Sequence, residues 1–301
     1  MDKLITPKEA KLLVGEQSLN LGSERVDLLL SRGRLLAEDV LTDRDYPPFN
    51  RATMDGICIS FGDLADLKKT GLEIYSTIFA GDAKSEIPNG KAAKIMTGAC
   101  LPEGADTVIR VEDLTFENNT VRLKMDCTIV RGQSLHLKGS DHQRNQVVIE
   151  KGTLIQPGTI AALATLGISE PLVRKNPRVA IVATGNELVP VGAVPKEHQI
   201  RTSNSPFLMS LCDQLGLERE AFYLTDNVES TNAMIAQLLS SFDILLFTGG
   251  VSKGEKDFVA DALLSNGVKK CFHGVKQKPG KPMWFGKTED SLVFAFPGNP
   301  V

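Results

Sequence analysis

The chain has 301 residues, of which 42% are hydrophobic and 24% are charged, and its formal net charge is −3. That length and composition indicate a soluble globular protein that can bury a sizeable core in two or three domains. Because the lysines and arginines are scattered along the chain, no basic face indicates binding to nucleic acid or to an anionic membrane.

Targeting segments and metal-binding spacings are not found in the sequence. No apolar segment of signal-peptide length opens it and no run of about 18 apolar residues occurs, so we expect a cytoplasmic protein. The five cysteines form no CxxC pair, which indicates reduced thiols rather than disulfides or a zinc site. The histidines lack metal-ligand spacing, and we expect surface or hydrogen-bonded polar roles for His136, His142, His198 and His273.

The first predicted element in chain order is a helix. Thr6 and Glu9 match a capping box around Pro7, and the helix is predicted to run to about Val14. The apolar spacing over residues 26–36 predicts a second helix.

A region of strands and turns follows the proline-rich connector at residues 45–50. Strands are predicted at Leu72–Ile78, Ala92–Met96 and Thr107–Val111, with a hairpin across 117–119 into Thr120–Met125. Helical pattern returns at residues 157–166. We therefore predict an inserted β domain over 45–139, within a discontinuous helical domain of residues 1–44 and 140–176.

From residue 177 onward, strands and helices alternate as in a doubly wound α/β domain. One helix is predicted to begin at a cap formed by Asn204 or Ser205, and a second covers residues 234–239. The predicted strands are Val179–Ala183, Glu220–Leu224, Ile244–Phe247 and a terminal hairpin of Met283–Phe285 with Leu292–Phe296.

The stretch that follows the strand Ile244–Phe247 indicates an anion site. Gly249 and Gly250 allow a sharp turn and close approach of a ligand, and a helix is predicted to begin after Asp257 and to stop at Gly267. Free backbone N–H groups at such a turn and at a helix N-terminus attract anions. An ordinary strand-to-helix turn explains the motif equally well.

Three loops that follow predicted strands carry acidic residues. Glu187, Asp226 and Asp257 could meet at one crevice, because ligands bind at the carboxyl ends of parallel strands. Ser252, Lys278 and Lys281 would lie near it. Carboxylates beside lysines suit a phosphate bridged by Mg²⁺. Alternatively, each aspartate is a helix cap and each lysine a solvated surface group.

Seven motifs of the chain resemble those of the MoeA family, in the same order and over essentially the whole chain. Met54–Gly56 reads MDG, Met96–Ala99 reads MTGA and Pro102–Ile109 reads PEGADTVI. The remaining four are TGNEL at Thr184–Leu188, GGVSKGEKD at Gly249–Asp257, KPGKP at Lys278–Pro282 and PGNPV at Pro297–Val301. Any one motif is weak evidence, whereas their joint occurrence is very specific.

The resemblance implies a molybdopterin molybdenumtransferase of molybdenum cofactor biosynthesis. Members of the family insert molybdate into adenylylated molybdopterin and release AMP, with Mg²⁺ or a similar cation. The implied catalytic positions are Asp55, Thr97, Asp141, Glu187 and Asp257, of which Glu187 and Asp257 would serve the metal. The implied substrate-binding positions are Gly249, Gly250, Ser252, Asp226, Lys278 and Lys281, with both lysines on the molybdate.

The resemblance also implies a multidomain α/β fold with a MogA-like α/β domain, and an elongated homodimer in which a β domain closes the partner's cleft. Molybdopterin adenylyltransferase and molybdoenzyme maturation factors are candidate partners. Family members continue past the last motif into a C-terminal β domain, which this sequence does not contain. Two alternatives remain open: a molybdopterin adenylyltransferase, and a non-catalytic scaffold like the gephyrin E domain.

Overall fold

The computed structural model describes residues 4–225, 228–250 and 258–298. The α-helices in that part of the chain are α1 (Pro7–Gly15), α2 (Leu64–Lys69), α3 (Pro157–Thr165), α4 (Asn204–Gln214), α5 (Val228–Ser241) and α6 (Phe258–Ser265).

The strands of the first half are short and alternate with turns. They are β1 (Ser23–Arg25), β2 (Val40–Leu41), β3 (Arg51–Ala52), β4 (Gly56–Ile59), β5 (Leu72–Ile78), β6 (Lys91–Ile95), β7 (Thr107–Arg110), β8 (Leu114–Glu117), β9 (Thr120–Leu123), β10 (Leu135–His136) and β11 (Val147–Ile149). Those of the second half are β12 (Leu172–Arg174), β13 (Val179–Thr184), β14 (Leu188–Val189), β15 (Ile200–Arg201), β16 (Arg219–Leu224), β17 (Ile244–Thr248), β18 (Lys269–His273), β19 (Trp284–Lys287) and β20 (Leu292–Phe296).

The chain divides into two compact units. The first, which we call the α/β unit, comprises Met1–Ala37, Leu154–Ile160 and Glu170–Val301. The second, which we call the β unit, comprises Glu38–Thr153 and Ala161–Ser169. The fold is therefore a multidomain α/β fold, as the sequence predicts. The finer division into three domains stays a prediction.

The α/β unit is built on a six-stranded sheet in the order β16-β13-β17-β20-β19-β18. The first four strands are parallel, and β19 and β18 pair antiparallel at one edge. Every residue of β13 is buried, because helices cover both faces of the sheet. Val179 and Ile181 pack with Cys212 of α4, whereas Ala180 packs on the other face with Ile235 of α5. This is the predicted doubly wound arrangement, and β19 with β20 forms the predicted hairpin.

The predicted N-terminal helix is confirmed as α1. The Thr6 hydroxyl accepts from the Glu9 amide at 3.2 Å, and the Glu9 carboxylate accepts from the Thr6 amide at 2.6 Å. Ala10 of this helix packs against Phe272 and Phe285 of the sheet. The capping box thus begins a helix whose apolar face completes the core of the α/β unit.

The helix predicted over residues 26–36 is wrong. Only a short 3₁₀ turn forms there, at Leu28–Ser31, and Gly33 follows it at a φ of +81°. The flanking residues pair with strand β12 instead: Ser23–Arg25 form β1, and Leu36 bridges to Val173. The predicted cap of α4 is also displaced, since Ser203 holds the N-cap position and makes no side-chain capping bond.

The β unit is built on a second six-stranded sheet, in the order β7-β4-β6-β5-β9-β8. Its pairs are antiparallel except β5 with β6. Strand β4 is fully buried because it has a core on each side: Ile57 and Ile59 pack on one face and Cys58 on the other. The predicted hairpin is β8 with β9, and Asn118 adopts the positive φ of +53° that its two-residue turn requires.

The cysteines take no part in cross-linking. All five thiols are free, and burial raises the pKa of Cys58 to about 12, which leaves it unreactive. Within the described ranges, no helix combines the length and apolar character needed to cross a bilayer.

Candidate active site

The α/β unit has a cleft at the carboxyl ends of its parallel strands, where ligands bind in open α/β sheets. Its volume is about 380 Å³. Strand ends form one wall, helix α4 forms another, and a loop between β18 and β19 closes the side. The lining residues are Asn204, Phe207, Leu208, Thr248, Pro279, Gly280, Phe296 and Pro297.

The two glycines of the predicted turn lie at the base of this edge, directly after β17. Gly249 has a φ of +93°, and a Cβ there would lie 2.6 Å from the Thr184 carbonyl oxygen. Gly250 has a φ of +67°, and a Cβ there would lie 2.5 Å from Val259. The Gly249 amide donates to the Phe296 carbonyl at 3.0 Å, so this N–H is used within the protein. Gly249 is therefore required for close packing of the strand ends rather than as an anion donor.

Glu187 follows β13 on the same edge of the sheet and is exposed. A Cβ at Gly185 would lie 2.6 Å from both carboxylate oxygens of Glu187, so the glycine leaves the space that this carboxylate occupies. The Gly185 carbonyl is held by the Tyr223 hydroxyl at 2.5 Å and by the Leu188 amide at 3.1 Å. The turn that carries Glu187 is consequently fixed from two sides.

Lys278 and Lys281 flank the two loop residues that line the cleft, Pro279 and Gly280. The loop is tight: the Val275 amide donates to the Lys281 carbonyl at 2.8 Å. Both lysine side chains are exposed, and within the described residues neither makes an ion pair. The loop beside the cleft thus carries two exposed lysines, whose ammonium groups would suit an oxyanion ligand there.

In the β unit, Asp55 and Thr97 are in direct contact. One oxygen of the Asp55 carboxylate accepts from the Thr97 hydroxyl at 2.7 Å and from the Thr97 amide at 2.7 Å. The hydroxyl contact and then the amide contact lower the pKa of Asp55 below its ordinary value. The carboxylate is thus kept ionised and fixed in orientation on an exposed face.

Asp141 lies in the same unit and contacts a histidine. Its Oδ1 is 2.8 Å from Nε2 of His136, and Nδ1 of that ring is 3.1 Å from Nη2 of Arg51. Arg51 therefore contacts Asp141 only through His136, whereas Asp55 is held by Thr97. The structure therefore brings Asp55 together with Thr97, and places Asp141 at the end of a separate chain of polar contacts.

Three predicted site residues, Asp226, Ser252 and Asp257, lie outside the described residues. The predicted convergence of Asp226 and Asp257 with Glu187 stays a prediction. Among the residues that are described, no three His, Cys, Asp or Glu side chains gather as a cation site. The exposed carboxylate of Glu187 supplies the hard oxygen ligands that Mg²⁺ prefers, so this residue fits the predicted role chemically.

Sequence reasoning missed several polar residues of these sites. The sequence does not indicate a role for Tyr223, and it predicts only an ordinary polar role for His136. Asn204 was predicted only as a cap, whereas its side-chain amide donates to the Gly298 carbonyl at 2.9 Å and ties α4 to the end of the sheet. The sequence gives no local signal for these contacts, because Arg51 lies 85 positions from His136 and Gly185 lies 38 positions from Tyr223.

The fold and the cleft define a ligand-binding α/β protein with a separate β unit, and comparisons with known proteins define its family. The profile described as "MoeA N-terminal region (domain I and II)" matches residues 5–167. The profile described as "Probable molybdopterin binding domain" matches residues 180–301. The chain belongs to the MoeA family.

Curated relatives and solved structures agree with this assignment. A molybdopterin molybdenumtransferase of Synechocystis is 32% identical over 94% of this chain and 73% of its own length. The enzyme of that name from Staphylococcus aureus is 32% identical over 98% of this chain and 71% of its own. Two structures of the Pyrococcus horikoshii molybdopterin biosynthesis MoeA protein cover 99% of this chain and 75% of theirs, with 30% and 32% identity and TM-scores of 0.82 and 0.81.

Proposed function

We propose that this protein acts in molybdenum cofactor biosynthesis and transfers molybdate into adenylylated molybdopterin, with release of AMP. The observation that carries the proposal is the cleft at the carboxyl edge of the sheet, with the Lys278–Lys281 loop at its mouth. The cleft is open and walled largely by apolar groups, which suits a flat heterocycle, and the two exposed ammonium groups suit an oxyanion beside it. The names of the relatives support the same reaction.

Within this proposal, the lysines bind molybdate and the cleft binds the pterin nucleotide. Glu187 and Asp257 would hold Mg²⁺, which supplies positive charge beside the phosphate groups. Asp55, held by Thr97, and Asp141 would act on the substrate from the β unit. Gly249 and Gly250 allow the end of β17 to pack closely against Thr184 and Val259, next to the strand ends that line the cleft.

We further propose a cytoplasmic homodimer in which the β unit of one subunit faces the α/β unit of the other. Support comes from the distribution of the predicted site residues, since Asp55 and Thr97 belong to one compact unit and Glu187 to the other. Light scattering at micromolar concentration tests this, because a mass equal to one chain contradicts the dimer. Molybdopterin adenylyltransferase and molybdoenzyme maturation factors are its proposed partners.

The reaction can be tested directly with the purified chain. Adenylylated molybdopterin, molybdate and Mg²⁺ are mixed, and AMP is measured by chromatography. We expect AMP release that depends on molybdate. Formation of adenylylated molybdopterin from molybdopterin and ATP would instead identify an adenylyltransferase. Tight binding of the substrate without turnover would indicate a scaffold.

A further inference from the structure

In the β unit, three side chains form a continuous hydrogen-bonded chain that ends at a predicted catalytic residue. Nη2 of Arg51 lies 3.1 Å from Nδ1 of His136, and Nε2 of His136 lies 2.8 Å from Oδ1 of Asp141. Neither Arg51 nor His136 belongs to the residues that the motifs single out.

The chemistry of these groups fixes the position of the histidine proton. A guanidinium group has five N–H donors and no acceptor, so Nδ1 of His136 must offer its lone pair to Arg51. A neutral imidazole that accepts at Nδ1 carries its proton on Nε2. The ring therefore donates from Nε2 to Asp141, and Oδ1 of that residue accepts as a carboxylate.

We propose that His136 is a positioning residue for Asp141: Arg51 holds it as the Nε2–H tautomer, and it orients the Asp141 carboxylate for the reaction. This inference rests on the proposed function, in which Asp141 acts on the substrate. Orientation by a neutral donor differs from pairing with a cation, because it fixes one carboxylate oxygen without cancelling the negative charge.

The backbone around the three residues supports a positioning role. Strand β3 pairs with β10 so that Arg51 stands directly opposite His136. The loop that carries Asp141 is bound to residues 46–50 at several points: the Asp141 amide donates to Tyr46 and the Gly139 amide to Pro47, each at 3.0 Å. The backbone that carries Arg51 and His136 and the backbone that carries Asp141 are therefore both held in place by hydrogen bonds.

Exposure of the pair leaves room for a ligand. The His136 side chain is 29% exposed and the Asp141 side chain 49% exposed. Oδ2 of Asp141 makes no hydrogen bond to any described residue, whereas Oδ1 is occupied by His136. One oxygen is therefore held by the protein, and the other is left without a hydrogen bond from the described residues on a side chain that is about half exposed.

Two substitutions of His136 separate this role from a merely structural one. His136→Gln places an amide N–H at the position of Nε2, so it can still donate to Asp141. His136→Asn places its amide at the position of Nδ1, so it can reach Arg51 but not Asp141. The two variants share the same chemistry and differ in which neighbour they reach. His198→Asn, in an exposed loop of the α/β unit, is the matched control.

We expect His136→Asn to lower kcat for AMP release about tenfold or more with little change in KM, because an orientation needed for reaction is lost. His136→Gln should stay within a few-fold of the parent, and His198→Asn should match it. An Asn variant as active as the parent overturns the proposal. An equal loss of activity in both His136 variants also overturns the proposal, because the amide N–H that glutamine offers to Asp141 would then have restored no activity.

A spectroscopic measurement tests the tautomer independently of activity. In ¹⁵N NMR of the parent, Nδ1 of His136 should resonate in the unprotonated range and Nε2 in the protonated range at neutral pH. Arg51→Met removes the donor that holds Nδ1 as an acceptor, so the other neutral tautomer becomes accessible and the Nδ1 signal should move toward the protonated range. The reverse tautomer, or a fully protonated ring in the parent, overturns the inference. The expected spectrum in a chain that releases no AMP would instead count against the proposed function.

Discussion

A single oxygen of the Asp55 carboxylate accepts two hydrogen bonds from Thr97, one from its hydroxyl and one from its backbone amide, each at 2.7 Å. The two residues are 42 positions apart in the sequence. They meet because the Met96–Cys100 turn pairs with β3: the Gly98 amide donates to Ala52 at 2.8 Å. Both contacts favour the ionised form of the carboxyl group.

Thr97→Val keeps the shape of the side chain and removes its hydroxyl. Because the hydroxyl contact is the larger cause of the shift, the pKa of Asp55 should rise toward its ordinary value of 3.8 and remain below it through the amide contact. Carbon NMR titration of the carboxyl group measures this. Thr77→Val, at an exposed position of β5, is the control and should leave the pKa of Asp55 unchanged.

The same variant has a predicted effect on stability with a definite sign. A folded-state pKa below the unfolded value stabilises the protein above that value, and the contribution is lost as pH falls through the lowered pKa. The small difference in unfolding midpoint between the parent and Thr97→Val should therefore be constant near neutral pH and shrink in acid, below about pH 4. A difference that grows in acid contradicts the assignment.

The sequence predicts elements best where one strong local signal decides. Strand Leu72–Ile78 lies between turn residues and forms with the predicted bounds, and the Thr6 capping box begins its helix. The spacing of apolar residues over 26–36 is helical, yet Leu29 and Leu30 are about three-quarters exposed. The position of this segment is set instead by the long-range pairing of its neighbours with β12. Local periodicity carries no information about such a partner more than a hundred residues away.

Residues of the candidate site likewise differ in whether a local sequence signal predicts their role. Glycines 249 and 250 could be predicted, since a turn with positive φ needs them. The role of His136 could not, because its tautomer depends on Arg51, which lies 85 positions earlier and meets it only through the pairing of β3 with β10. The Tyr223 contact with Gly185 likewise requires β16 to lie beside β13.

The lysine loop gives a prediction about oxyanion binding. Lys278→Ala with Lys281→Ala should weaken molybdate binding about tenfold or more, because two charge-assisted contacts are removed. Calorimetry with molybdate measures the affinity. The matched control is Lys175→Ala with Lys269→Ala, which also removes two positive charges. Lys175 precedes β13 and Lys269 begins β18, so both lie near the amino ends of the strands, away from the cleft. If both double variants bind molybdate like the parent, the lysines do not form the oxyanion site.

The carboxylates proposed for Mg²⁺ can be tested without changing their shape. Glu187→Gln should leave the melting temperature unchanged, because the exposed side chain adds little to stability, and should weaken Mg²⁺ binding because the charge is lost. Asp257→Asn should behave alike, since asparagine caps a helix about as well as aspartate. Mg²⁺ titration monitored by AMP release gives the comparison. An early-melting Asp257→Asn variant that keeps its Mg²⁺ dependence would return that residue to the role of a cap.

Gly249 and Gly267 form a matched pair for testing how closely the strand ends pack. Both have a positive φ, of +93° and +81°, so alanine is strained at either position. A Cβ at Gly267 meets nothing within 4 Å, whereas one at Gly249 would lie 2.6 Å from the backbone oxygen of Thr184. The backbone at Gly249 and the backbone at Thr184 cannot move apart without separating β17 from β13, which are paired in parallel.

Gly267→Ala should therefore lower the free energy of unfolding by about 1–2 kcal/mol, the cost of a left-handed alanine. Gly249→Ala carries that cost and the additional cost of displacing the strand ends, so its loss in urea denaturation should be clearly larger. It should also weaken ligand binding in the cleft, which Thr248 and Phe296 line. Thr248 precedes Gly249 in the chain, and the Phe296 carbonyl accepts a hydrogen bond from the Gly249 amide. Equal losses in the two variants would show that the close approach at Gly249 is not required, and that its conformation alone accounts for the glycine.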